Sequence, residues 1–301
     1  MRALITGAAG QLGRAVTQEL RDAGHDVRAY PRGALDVTRA ADVRAVCDAL
    51  QPDVVLNCSA YNRVDDAESH RDLAFAVNAD GPAALAREAE RHGAVFVHYS
   101  TDFVFDGETT RPYAEADEPS PASVYGQSKL AGELNAALAS RHYILRLESL
   151  FGRQPVGRST IDWIAGCLAR GQEASVFIDR VVSPSYSIDV ARATRHLLEQ
   201  GSAPGLYHCV NSGHCTWYEL AEEVASQLGV AAVLRPVRTS EITTGAPRPR
   251  FCALSNEKLS ASGMRMPTWQ SALRRHFAGL ALATAQPAPS NISSSVPVDP
   301  S

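Results

Sequence analysis

Lysine is nearly missing from this chain. Of its 29 basic residues only Lys129 and Lys258 are lysines. Other absences exclude whole classes of protein. The six cysteines (Cys47, Cys58, Cys167, Cys209, Cys215 and Cys252) form no C-x-x-C pair and no disulfide-framework spacing, and they sit mostly inside apolar elements, as reduced core thiols do. His208-Cys209 and His214-Cys215 fit no common ligand spacing, so no metal is expected. No apolar run reaches the eighteen or so residues of a membrane span, and the chain opens on a strand-like segment without a basic, apolar leader. A cytoplasmic protein that engages no membrane is the expectation. Neither sign of charge dominates, since the formal net charge is −4, and this gives no nucleic-acid signature. Internal repeats are absent too.

What is present is the profile of a globular protein with a sizeable core, 45% apolar and 21% charged over 301 residues. Short apolar runs at 2–6, 27–30, 53–57, 94–99 and 143–147 alternate with helical patterns near 11–23, 39–50, 72–91 and 123–133. Strands separated by helices of that length predict an α/β fold, a doubly wound parallel sheet of Rossmann type. After residue 147 the alternation loosens into a helix at 159–170, a strand at 175–178, a helix at 188–200, a strand at 206–210, a helix at 216–228 and a last helix near 268–277. The expected organisation is a dinucleotide-binding domain over 1–152, to which 184–210 returns. A smaller C-terminal substrate lobe takes 153–183 and 211–280. The Ala-, Pro- and Ser-rich stretch 281–301 reads as a disordered tail.

The first strand runs into Gly7-Ala8-Ala9-Gly10-Gln11-Leu12-Gly13 and then a helix with Leu12, Val16 and Leu20 on one face. Glycines in such a turn let the backbone approach a pyrophosphate and leave the free N–H groups of the helix start facing the anion, while Gly13 lets helix and strand pack closely. The spacing is G-x-x-G-x-x-G rather than the commoner G-x-G-x-x-G. An acid at the end of the second strand would accept from the ribose of NAD. Here Tyr30-Pro31-Arg32 stands instead, which favours NADPH through Arg32, with NADH as the alternative. Ligands of such sheets bind beyond the carboxyl ends of the strands, where Asn57-Cys58-Ser59-Ala60 and Ser100-Thr101-Asp102 fall.

The stretch that points to chemistry is Ser123-Val124-Tyr125-Gly126-Gln127-Ser128-Lys129. Residues four apart share a helix face, which puts an ammonium beside a phenol. A phenol with a pKa near 10 is a poor proton donor at neutral pH, and a cation about 4 Å away can lower it by the roughly 4 kcal/mol that three units require. Nine tyrosines and two lysines make a chance Tyr-x-x-x-Lys conceivable, so its meaning rests on the surrounding chain.

With those residues in place the sequence resembles the extended short-chain dehydrogenase/reductases, and among them the dTDP-4-dehydrorhamnose reductase family. The likeness is carried by 6–13, 52–57, 60–69, 97–105 and 124–133, and it extends into Gly205 to His208, Thr216 to Tyr218 and Arg248 to Leu259. It implies NADPH-dependent reduction of a 4-keto group on a nucleotide-linked deoxysugar, and is compatible with a homodimer. Tyr125 would donate the proton, Lys129 would lower its pKa and hold the nicotinamide ribose, and Thr101 would bond the substrate carbonyl. Gly7, Gly10, Gln11 and Leu12 would line the pyrophosphate, Asp36 and Val37 would sit near the adenine, and Cys58, Ser59 and Ala60 would back the ribose and nicotinamide. Asp102 would contact the sugar.

One departure concerns the sugar. Where the family reads Arg-Thr-Ser-Trp-Val-Tyr, this chain has Arg146-Leu147-Glu148-Ser149-Leu150-Phe151. Ser149 takes the place of an aromatic platform, Glu148 adds an acceptor for a sugar hydroxyl or amine, and Trp217 or Phe151 could fill the vacated space. Two alternatives carry different chemistry. A non-catalytic cofactor-binding regulatory subunit would not need Thr101, Tyr125 and Lys129 intact. An epimerase or dehydratase of the same fold would need an added acid, and Asp102 is one.

Overall fold

The computed structural model describes residues 1–152, 159–242 and 244–285. Four βα units and a fifth strand come first: β1 (Arg2–Thr6), α1 (Gln11–Asp22), β2 (Asp26–Tyr30), α2 (Ala40–Leu50), β3 (Val54–Asn57), the short α3 (Val64–Ala67) and α4 (Arg71–Phe75), α5 (Gly81–Arg91), β4 (Val95–Thr101), α6 (Val124–Ala136) and β5 (His142–Leu147). There follow β6 (Leu150–Phe151), α7 (Thr160–Ala169), β7 (Ala174–Phe177), β8 (Val181–Val182), β9 (Ser185–Tyr186), α8 (Ser187–Gln200) and β10 (Gly205–His208). The last elements are β11 (Cys215–Thr216), α9 (Trp217–Leu228), β12 (Leu234–Val237), α10 (Glu257–Ala261) and α11 (Trp269–Ala285).

Six strands form one parallel sheet in the order β10-β5-β4-β3-β1-β2. The chain leaves β1 toward one edge and returns to its other side with β3, so the strand order reverses between them. In doubly wound sheets that reversal opens a crevice at the carboxyl ends. The inner strands are largely buried because helices cover both faces: α1 and α8 with Val16, Leu20, Val190 and Leu197 on one, α2 and α5 with Val43, Cys47, Leu85 and Ala89 on the other. Helix α8 and strand β10 lie with the sheet. Leu259 of α10 and Met266 also pack there, with the sheet rather than with the lobe expected for them. A separate core, built from Phe151, Ile161, Ile164, Val176, Trp217, Leu220 and Leu273, belongs to α7, α9, α11 and the small strands, and forms the lobe above the strand ends.

Two helices differ from the sequence reading. The pattern over 72–91 is one continuous helical path interrupted by a π-turn at Ala76–Asp80. Its Asn78 side chain accepts from the Tyr61 amide (2.8 Å) and donates to the Tyr61 carbonyl (3.1 Å) and the Ser128 hydroxyl (3.0 Å), so the extra backbone residue aims an amide at two neighbouring elements. Helix α11 continues to Ala285, eight residues beyond the expected end, so the boundary drawn at Ala281 falls inside it. The remainder of the tail expectation lies outside the described residues.

Candidate active site

A cavity of about 800 Å³ opens between the carboxyl ends of β1, β3 and β4 and the lobe. Its floor at one end is the glycine turn. Gly7 has φ +63°, and a Cβ there would meet the Cys58 carbonyl carbon at 2.5 Å. A Cβ on Gly13 would meet the Gly7 oxygen at 2.4 Å. Only glycine lets the two crossover loops close on each other and α1 press onto the turn. No side chain caps α1 at Gly10, so its first N–H groups face the cavity rim with Gln11 and Leu12. Opposite, the Asn57 side-chain oxygen Oδ1 accepts from the Thr6 hydroxyl (2.8 Å) and the Ser59 amide (3.1 Å), which folds Cys58, Ser59 and Ala60 over the turn as cavity wall.

The reactive end is set by α6. The Ser123 hydroxyl caps it by accepting from the Gly126 amide (3.1 Å), and a Cβ on Gly126 would lie 2.2 Å from the Phe103 carbonyl. The helix start is thereby pressed onto the 3₁₀ turn Asp102–Val104, and the Tyr125 ring meets Phe103 edge-on with centroids 5.5 Å apart. Thr101, Asp102, Tyr125 and Lys129 all line the cavity and are all buried. Thr101 donates to the Asp102 carboxylate (2.8 Å) and lowers the Tyr125 phenol by hydrogen bonding.

The electrostatics of this quartet differ from the sequence expectation. Burial first, and the Asp102 carboxylate second, push the Tyr125 phenol above its ordinary value, and Lys129 does not offset them. The Lys129 ammonium instead donates to the Tyr99 carbonyl (2.6 Å). Burial brings its own pKa down to about 8 against the pull of Glu133. Sharing a helix face put the two side chains in one cavity, but the nearest acceptor for the ammonium is backbone.

Glu148, Ser149 and Trp217 also line the cavity, at the lobe end. Ser149 has φ +40°, a left-handed backbone uncommon for serine. Its hydroxyl donates to Glu148, and Glu148 also accepts from the Ser183 amide (2.6 Å). Of the two aromatics considered for the vacated space, Trp217 reaches the cavity and Phe151 lies in the lobe core.

Four expected contacts are not cavity wall. Gly7 lies beneath it, under Cys58. Arg32 is exposed beyond β2. The Asp36 carboxylate accepts from the amide (3.0 Å) and hydroxyl (2.8 Å) of Thr38, a local turn, and Val37 is packed in the core against Gly81. Conversely, the sequence reading missed Trp163, Arg180, Ile242 and the side chain of Arg248, all lobe-side wall. Trp163 is 49% exposed although it stands on an otherwise apolar helix, and that misplaced aromatic was the one available signal. Arg180 and Arg248 sit in irregular segments, where no periodicity marks a cation.

A parallel dinucleotide-type sheet with a glycine turn at its reversal and a tyrosine, a lysine and a threonine converging beyond β4 defines the class, an extended short-chain dehydrogenase/reductase fold. Within it the chain belongs to the family described as the RmlD substrate binding domain, whose model matches residues 1–281. It is 37% identical over 296 residues to a dTDP-4-dehydrorhamnose reductase of Streptomyces griseus, covering 96% of this chain and 97% of that one. It is 35% identical over 280 residues to a dTDP-4-keto-6-deoxy-D-glucose reductase of Streptomyces niveus, covering 92% and 96%. A crystal structure of dTDP-4-dehydrorhamnose reductase from Bacillus anthracis in complex with NADP superposes with a TM-score of 0.88 at 33% identity, covering 92% of this chain and 99% of that one.

Proposed function

We propose that this protein is an NADPH-dependent reductase of the 4-keto group of a nucleotide-linked 6-deoxy sugar. The observation that carries the reading is the convergence of the Tyr125 phenol, the Thr101 hydroxyl and the Lys129 ammonium on one cavity whose far end is the glycine turn. The fit to a dinucleotide is supported by the cradle between Gly7, Gly13 and Cys58, and by the buried Gln11 amide nitrogen, which has no hydrogen-bond partner among the described residues. Gly10, Gln11 and Leu12 would hold the pyrophosphate, Cys58, Ser59 and Ala60 the nicotinamide half, and Lys129 its ribose. Arg32, with no acid ending β2, would answer a 2′-phosphate. When bound, the reduced cofactor supplies the hydride. Thr101 orients the carbonyl oxygen by hydrogen bonding, and Tyr125 delivers the proton to that oxygen as it gains charge. Asp102, Ser149 and Trp217 would meet the sugar, Glu148 standing behind them with its oxygens taken by Ser149 and Ser183, and the apolar walls of Ile161 and Ile164 keep water from it.

The test is NADPH oxidation against a panel of 4-keto nucleotide sugars, with the product analysed. Stoichiometric oxidation with formation of a 4-hydroxy sugar supports the reading. Conversion without net oxidation would favour epimerisation or dehydration, and binding without conversion would favour a regulatory subunit.

A further inference from the structure

The departure at Glu148 places a second carboxyl group where it meets Asp102. Both are 4% exposed, and a carboxylate oxygen of each lies within 4.8 Å of the other and of the Cys252 sulfur. Burial, then the facing Asp102 charge, pushes Glu148 well above the usual carboxylate range. Burial likewise raises Asp102, against hydrogen bonds from Thr101 and Cys252 and the charge of Arg180. Two like charges this close in a water-poor site do not both ionise readily. The hydrogen bonds point the same way. Both Glu148 oxygens accept from protein donors, while the second oxygen of Asp102 is buried without a donor among the described residues that meets hydrogen-bond geometry. A protonated Glu148 would offer it one.

The groups facing the pair complete the account. Thr101 bonds Asp102, Tyr125 feels its charge, Ser149 and Ser183 hold Glu148, Cys252 lies beside both carboxyl groups, and Arg180 is the nearby cation. Lys129 is engaged with the Tyr99 carbonyl. The same three ligand atoms could gather round a divalent ion, but the guanidinium beside them and the donors on Glu148 already answer the negative charge.

We propose that Asp102 and Glu148 carry one proton between them at neutral pH and supply it, through the Thr101 hydroxyl, to the Tyr125 phenolate after each turnover. The relay half of this rests on the reductase reading. In the balanced step the substrate carbonyl gains a hydride on carbon from reduced nicotinamide and a proton on oxygen from Tyr125. The phenolate then takes the Thr101 hydroxyl proton, Thr101 takes the proton that leaves the pair, and the pair is refilled from water. Glu148 is thus a positioning residue that acts through Asp102 and Thr101.

Two measurements test this. Infrared titration of the full chain without ligand should show a protonated-carboxyl band at pH 7.5 that is lost in Glu148→Gln and kept in Asp102→Asn. A band that survives Glu148→Gln overturns the pair. The pH profile of kcat tests the relay. In Glu148→Gln the alkaline fall should move to lower pH, with kcat at pH 8 down by about tenfold or more, KM little changed, and partial recovery in Glu148→Asp. An unmoved alkaline limb, or kcat and KM changing together at all pH values, overturns it. If the wild type reduces no 4-keto sugar, the substrate reading and the relay fall together, and the infrared titration still decides the pair.

Discussion

Tyr125 sits in a position where its ring and its hydroxyl can be separated experimentally. The ring packs edge-on against Phe103, so Tyr125→Phe keeps the contact and deletes only the proton. Reduction should fall by about 10²–10⁴-fold while NADPH affinity stays unchanged, measured on one preparation. A variant that retains more than about a tenth of wild-type turnover would deny Tyr125 the role of acid. Arg32 is the residue on which cofactor choice turns. It is exposed, and its charge is felt by Asp36 across the loop that follows β2. Arg32→Ala should weaken NADPH more than NADH, by about the 1.5–3 kcal/mol of a hydrogen bond to a charged group. Equal weakening of both, read by fluorescence titration, would leave Arg32 a bystander.

Among the elements, α6 and β5 are joined by a buried ion pair. Arg146 donates to Glu133 through two nitrogens at 2.8 and 2.7 Å, and its guanidinium lies over the Phe105 ring. Glu133 also faces Lys129, so one carboxylate supports both the helix that carries the site and the ammonium on it. Glu133→Gln leaves Arg146 charged and under-paired in a buried site, and should cost about 3–5 kcal/mol in urea denaturation. A loss below about 1 kcal/mol would place the pair with ordinary surface ion pairs instead. Close approaches at Gly126 and Gly132 do the rest. A Cβ on Gly132 would meet the Asn78 carbonyl at 2.1 Å, so α6 is clamped between the π-turn and the end of β4.

For the molecule as a whole, groups of opposite tendency titrate over one pH range. His208 is lowered to about 3 by burial and then by Arg146, and His98 is lowered well below its ordinary value by burial and then by Lys129. Between about pH 3 and 6.5 the unfolded chain binds protons at these positions that the folded chain refuses, so they make stability rise with pH. Asp102, raised to about 6, and Glu148, raised further, do the reverse: the folded chain holds protons that the unfolded chain releases above about pH 4. The two pairs should nearly cancel, giving a flat stability profile from pH 4.5 to 6. Glu148→Gln removes one opposing group, so its urea midpoint should climb with pH over that window. A midpoint in the variant that stays as flat as the wild type would show that Glu148 ionises freely.

The amino-acid sequence by itself determined the parallel sheet, the glycine turn and the Tyr125–Lys129 helix, because period, glycine spacing and a four-residue interval are local properties that survive without neighbours. It also exposed Glu148 and Ser149 as a departure. Only the tertiary structure decided that Glu148 meets Asp102, 46 positions earlier in the chain, since the approach of β5's end to that of β4 is set by sheet register. It likewise decided that the Lys129 ammonium turns to the Tyr99 carbonyl and that Val37 and the Asp36 turn leave the cavity. Trp163, Arg180 and Arg248 reach the cavity from segments with no shared pattern. Charge, burial and orientation depend on what other segments bring to a point in space, and no interval along the chain records that.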